Sequence, residues 1–143
     1  KATSPFRIEG DIEVAGKRVL VVEDGPTVTH GGMAFGAGLL AARAAGAGEI
    51  IDPRPYAVGS LVATFEKYTH LEKVLPAMGY GDQQIADLAA SIDAAGCDVV
   101  VSGTPIDIGR LIDVETPLLR VRYDLDDDTA VQLSGIIRER LNV

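Results

Sequence analysis

The sequence predicts one α/β domain of Rossmann-like three-layer type with a mostly parallel sheet, and three observations carry that expectation. Arg18 to Glu23 (RVLVVE) and Asp98 to Ser102 (DVVVS) are short apolar runs that end in a polar residue, the pattern of strands buried on both faces. Each run is followed by a loop of glycine, proline and hydroxyl residues, and alanine-rich stretches of helical spacing lie between them. Aromatic residues make up only 5% of the chain, which suits β-branched strands under small-residue helices rather than an all-β sandwich.

The elements follow in order. Lys1 to Val14 is mixed in character, and residues 1–15 are read as an N-terminal segment continuing from a missing upstream region. Residues 16–143 are read as the Rossmann-like domain. After the first secure strand, Asp24 to Gly32 (DGPTVTHGG) reads as a loop and Met33 to Ala45 as a helix stopped near Gly46 or Gly48. A short strand at Glu49 to Ile51 runs into Asp52-Pro53-Arg54-Pro55, where two prolines halt regular structure. Val58 to Tyr68 reads as a helix, and Leu71 to Met78 as a weaker helical turn broken at Pro76. Asp82 to Ala95 carries Ile85, Leu88, Ala89 and Ile92 on one helix face, with Asp82 as expected N-cap and Gly96 as stop.

Past the second buried strand, Gly103 to Asp107 reads as a loop, with Asp107 capping a short helix through Ile112. Pro117 to Tyr123 alternates Arg120 and Arg122 with Leu119 and Val121, so one face meets charge or solvent, as on an edge strand or a site wall. Thr129 to Leu141 closes the chain as an amphipathic helix.

With 143 residues there is room for one core, since a domain of this size buries roughly 70% of its unfolded surface. No apolar run approaches the roughly 18 residues that span a bilayer, and the N-terminus lacks the order of a signal peptide. A cytoplasmic protein with no membrane partner is expected. Cys97 is the sole cysteine, which excludes an internal disulfide and leaves a cysteine-based zinc site unsupported. A formal charge of −8 argues against nucleic acid, because phosphate contacts need clustered Lys or Arg.

A parallel sheet places ligands beyond the carboxyl ends of its strands, which selects three loops. The first offers Thr27 and Thr29 as donors to phosphate oxygens, His30 as donor or proton shuttle, and Glu23 or Asp24 for Mg²⁺. The second holds Arg54 and Tyr56, with Lys67, Tyr68 and His70 farther along, as candidates for an anionic metabolite. The third, Ser102 to Asp107, supplies the Thr104 hydroxyl and the Asp107 carboxylate in the outline of a guanine-recognition element, with Pro105 at the position of its lysine. Gly36-Ala37-Gly38-Leu39-Leu40-Ala41 fits the dinucleotide pattern G-x-G-x-x-A. It falls too far beyond the first strand, so helix packing against the sheet is the expected role. No G-x-x-x-x-G-K-[ST] phosphate loop occurs.

The blocks GKRVLVVEDGPTVTHGGM, IIDPRPYAVGSL, FEKYTHLEKVLPAMGYGDQQI and DVVVSGTPIDIGRLI followed by LLRVRY, in collinear order from Gly16 to Tyr123, resemble the C-terminal part of archaeal cyclic 2,3-diphosphoglycerate synthetase and its relatives described as predicted GTPases. The resemblance implies an ATP-dependent ligase-like reaction with Mg²⁺, in which a phosphorylated glycerate closes an intramolecular phosphoanhydride. Enzymes of that family are longer and carry their P-loop upstream, so the missing upstream region becomes an expected partner and the isolated chain is expected to be inactive. Other expected partners are a small phosphorylated metabolite and a second copy of the chain. Within this reading Glu23 or Asp24 serves the metal, Thr27, Thr29 and His30 the phosphate, Arg54 with Tyr56 the substrate, and Asp107 the nucleotide or its own helix. A GTP-using relative and a non-catalytic nucleotide- or metabolite-binding module are the alternatives.

Overall fold

The computed structural model describes residues 6–123, so the helix expected over Thr129 to Leu141 lies outside the described residues. Ten elements follow one another: β1 (Phe6–Glu9), β2 (Arg18–Asp24), α1 (Gly25–His30), α2 (Ala37–Ala44), β3 (Glu49–Ile50), α3 (Ser60–Lys67), β4 (Leu75–Ala77), α4 (Asp82–Ala95), β5 (Val99–Ser102) and β6 (Leu118–Tyr123). Single 3₁₀ turns sit at Arg54–Tyr56 and Ile108–Arg110.

The sheet runs β1-β6-β5-β2-β3, with β4 also paired to β2. Every pairing is parallel except β1 with β6. This is the mixed α/β, Rossmann-like class that the strand runs predict. Val19 to Val22 and Val99 to Val101 are all fully buried, as continuous apolar strands under helices should be. At roughly 1.5–3 kcal/mol for each large apolar side chain removed from water, these two strands anchor the core. Among the described residues no helix is long and apolar enough to cross a membrane.

Several segments differ from the reading of the sequence, some for local reasons and one through strand pairing. Gly25 to His30 is a helix rather than a loop, because the Asp24 side chain accepts a hydrogen bond from the Thr27 amide and Pro26 tolerates the first turn. Leu75–Ala77 is a strand rather than a helical turn. Pro76 lies opposite Glu23 and lacks an N–H, which a strand paired on one side only can accept. Pro117 to Tyr123 proves to be an interior strand, held by β5 on one side and β1 on the other. Helix α2 begins only at Ala37, four residues later than expected, and α4 is capped by Gly81 with Asp82 in its first turn. Gly96 stops α4 in a left-handed conformation, as the sequence predicts.

The topology fixes where a ligand can enter. From β2 the chain first builds β3 and β4 on one side, then crosses through α4 to build β5 and β6 on the other. The reversal falls between β2 and β5, and a doubly wound sheet opens a crevice at the carboxyl ends of the strands there.

Candidate functional site

A cleft of about 460 Å³ opens at this reversal, bordered by the ends of β2 and β5 and by β6. The register Val22↔Ser102 and Ser102↔Arg120 brings three strand ends level, so Glu23, Gly103 and Arg120 converge although far apart in sequence.

Glu23 is 2% exposed and accepts the Gly36 amide at 3.2 Å and the Leu39 amide at 2.8 Å. A carboxylate of the protein itself thus fills the start of α2, the position at which a helix offers N–H groups to an anion. Burial pushes this carboxyl above its ordinary value of 4.5, and the amides of Leu39, Gly38 and Gly36 oppose that shift. The pattern G-x-G-x-x-A is explained by the same contact. A Cβ on Gly36 would lie 2.7 Å from Glu23 Oε2, and one on Gly38 would lie 2.9 Å from both Glu23 Oε1 and Val21. Helix packing is indeed the role of these glycines, against a buried acid as well as against the sheet.

Asp24 caps α1 through Oδ2, which accepts the Thr27 amide at 3.2 Å and the Thr27 hydroxyl at 2.7 Å. Both bonds fall on one oxygen. Thr27 reaches the cleft, whereas Thr29 donates its hydroxyl to Gly25 O at 2.7 Å and is buried. His30 ends α1 and is exposed. The expected phosphate trio is therefore not brought together: Thr29, two residues beyond Thr27 on the helix, faces away and is buried, and His30 does not line the cleft.

The second loop lies away from the cleft. Arg54 gives its fork to Asp52, with Nε to Oδ1 at 2.9 Å and Nη2 to Oδ2 at 2.6 Å, and this holds the Asp52 carboxyl below its ordinary value. Tyr56 packs half-buried against the core. Lys67 Nζ sits 5.2 Å from the centre of the Tyr68 ring, which meets His70 edge-on. His70 Nε2 is 2.7 Å from Val28 O; a carbonyl only accepts, so this nitrogen carries the hydrogen and ties α1 to the segment after α3. None of these four candidates lines the cleft.

The third loop does border it. Thr104 is 3% exposed and donates its hydroxyl to Ile106 O at 2.6 Å, with the Ser102 hydroxyl 3.1 Å away. Asp107 lies 3.4 Å from Arg110 Nε and 3.7 Å from Arg120 Nη1, and its side chain does not cap the turn that follows. Arg120 and Arg122 both line the cleft, so β6 forms one of its walls. Their alternation in the sequence signalled a charged face, but their partners and depth depend on strand order, which the sequence does not print.

The expected Mg²⁺ meets a mixed donor set. Glu23 gives Oε1 to two amides, while Asp24 keeps Oδ1 clear of its Thr27 bonds. Mg²⁺ bound through one carboxylate and substrate oxygens suits such a site. Among the described residues no group of three or more His, Cys, Asp or Glu is placed to hold a metal ion.

Over almost its whole length the chain is similar to a known synthetase. It is 51% identical over 139 residues to the arginine synthetase ArcE of Thermococcus kodakarensis, a match covering 97% of this chain and 31% of that protein. The chain thus spans about a third of the length of the curated relative it matches. No family model matches the chain, and no solved structure matches it. The relative is named a synthetase, in keeping with the class that the sequence blocks suggest, and its name specifies arginine rather than a cyclic diphosphate.

Proposed function

We propose that this chain is the C-terminal α/β portion of an ATP-dependent synthetase, with arginine as the product class. The observation that carries the reading is the cleft at the sheet reversal, where the carboxylate of Asp24 and the guanidinium groups of Arg120 and Arg122 share one wall system. An amino acid carries both signs of charge and suits such a lining. The likeness to a synthetase named for arginine supports this choice. In such a reaction ATP supplies the driving force for bond formation. This chain's residues would orient the substrate, with Thr27 and the adjoining Asp24 at one end and the β6 arginines at the other, so that positioning and fixed charge provide most of the catalysis. Asp24 would share Mg²⁺ with substrate oxygens, and the ATP phosphates would rest on the upstream region.

A second reading, closure of cyclic 2,3-diphosphoglycerate, is favoured by the two arginines on one cleft wall. It places an entirely anionic substrate beside Asp24, so it depends more heavily on the metal.

The test is to run the full-length protein backwards with Mg²⁺. Arginine with ADP and phosphate, or with AMP and pyrophosphate, should generate ATP detectable by luminescence. ATP formed from cyclic 2,3-diphosphoglycerate, ADP and phosphate, with release of 2,3-diphosphoglycerate, would select the second reading instead. No ATP from any mixture, with the protein folded, would remove both.

A further inference from the structure

Among the described residues, the starts of α1 and α2 and the side chains of Arg120 and Arg122 bring N–H donors to the cleft, and all but Arg120 are engaged within the protein. The start of α2 gives its amides to Glu23. The start of α1 is capped by Asp24, and Arg122 Nε lies 3.0 Å from Glu9 Oε2. Arg120 differs. Its side chain is 21% exposed, its ion pair with Asp107 is long at 3.7 Å, and Nη2 donates to Pro105 O at 3.3 Å. Its Nε is buried and has no hydrogen-bond partner among the described residues.

An unpaired buried donor is costly, and a charged one more so. The guanidinium is thus weakly held in this orientation and gains by any movement that gives the fork a full set of acceptors. Asp107 does not depend on it, because Arg110 Nε lies 3.4 Å from the same carboxylate oxygen. The backbone of Arg120 is fixed in an interior strand, paired with Ser102 immediately before Gly103, so the head group moves by side-chain rotation alone. In a cleft that also holds Glu23 and Asp24, an anion is repelled unless a cation turns toward it.

We propose that Arg120 is the seat for the anionic group, carboxylate or phosphate, of the cleft's ligand, and that it reaches the ligand by leaving Asp107 to Arg110. The proposal deepens the reading of this cleft as the substrate site and rests on it. The planar fork suits bidentate contact with either group, and Asp107 acts as the resting partner that keeps the guanidinium in place until the ligand arrives.

The experiment is calorimetric titration of the full-length protein with inorganic phosphate and, separately, with arginine as a carboxylate probe lacking phosphate. It uses the wild type, Arg120→Gln, Arg120→Lys and Asp107→Asn, with a melting temperature for each. The wild type binds at least one probe, and which one identifies the group that the seat takes. Arg120→Gln should weaken that probe by about tenfold or more, the usual scale for a charge-assisted contact, with little change in melting temperature. Arg120→Lys should weaken it less, and Asp107→Asn, which releases the guanidinium, should tighten it. Wild-type affinity in Arg120→Gln, or weakening in Asp107→Asn, overturns the proposal. So does a wild type that binds neither probe. If Arg120→Gln does not fold, Arg120→Lys decides, and unchanged affinity there overturns it. Turnover is not read, so loss of the synthetase reading and loss of the seat remain distinguishable.

Discussion

Two buried carboxylates, Glu23 and Asp87, each accept from the backbone at the start of a helix, two amides for Glu23 and one for Asp87, yet their surroundings act in opposite directions. Asp87 on α4 accepts the Ser60 amide at 2.9 Å, the Ser60 hydroxyl at 2.7 Å and the Gln83 side chain at 2.9 Å, and these donors hold its carboxyl below the ordinary 3.8. Glu23 receives amides only, and burial dominates, raising it above 4.5. A full set of donors makes the α3–α4 junction a structural joint. An under-supplied acid beside an open cleft stores cost where a ligand binds, which is the usual place for such a cost.

Gly103→Ala should disturb the cleft more than any other single change considered for it. Its Cβ would collide with the Glu23 carboxylate and would lie 2.7 Å from Gly38 N and 3.1 Å from Gly38 Cα, so backbone as well as side chain must shift. The expected loss is about 1–3 kcal/mol, at roughly 4 °C per kcal/mol for a domain this size. Thermal unfolding of the variant with its melting temperature unchanged would mean that the Glu23 cage is loose.

The paired variants Asp87→Asn and Glu23→Gln test the difference itself, with a smaller effect expected. Asp87 has a lowered carboxyl, so its contribution is present above pH 3.8 and is lost as pH falls through its folded value. Asp87→Asn should therefore lower the melting temperature at neutral pH and flatten the acid limb. Glu23 has a raised carboxyl. Its contribution is complete below pH 4.5 and is lost as pH rises through its folded value. Glu23→Gln keeps an acceptor for the α2 amides without the buried charge, so at pH 7 it should be at least as stable as the wild type, with a shallower decline above pH 4.5. Melting curves from pH 3 to 8 check both, and a parallel response in the two variants would erase the distinction.

What the sequence revealed divides along the same line. Continuous valine runs show β2 and β5 directly, because burial on both faces leaves no other pattern, and the residues after them border the cleft. The Asp24 cap that makes α1 a helix depends on a side-chain hydrogen bond with no mark in the residue pattern, and that helix turns Thr29 inward, away from the surface of Thr27. The alternation of Arg120 and Arg122 leaves an edge strand and a site wall both open, because the choice depends on β6 lying beside β5, a pairing that only tertiary packing decides. Asp52 and Arg54, by contrast, are neighbours in sequence, yet their mutual pairing was less visible than the proline frame around them.

That last pair gives the smallest expected effect and the cleanest contrast with the cleft. Arg54 and Arg120 are both arginines near strand ends, but Arg54 already spends its planar fork on Asp52 through Nε and Nη2, while Arg120 has a long ion pair and, among the described residues, no partner for Nε. Arg54 is also half-exposed, where solvent screens the pair and its contribution to stability is slight. Arg54→Lys should move the melting temperature by no more than about 2 °C. In the full-length protein it should leave the affinities for phosphate and arginine at their wild-type values, because recruiting Arg54 to a ligand would first require breaking a satisfied bidentate contact. The measurement is ligand-induced thermal shift on Arg54→Lys beside Arg120→Gln at the same probe concentrations. A loss of shift in Arg54→Lys as large as that in Arg120→Gln would show that an engaged guanidinium is as good a ligand seat as an unengaged one. The Asp52 to Gly59 loop would then return as a wall of the substrate site.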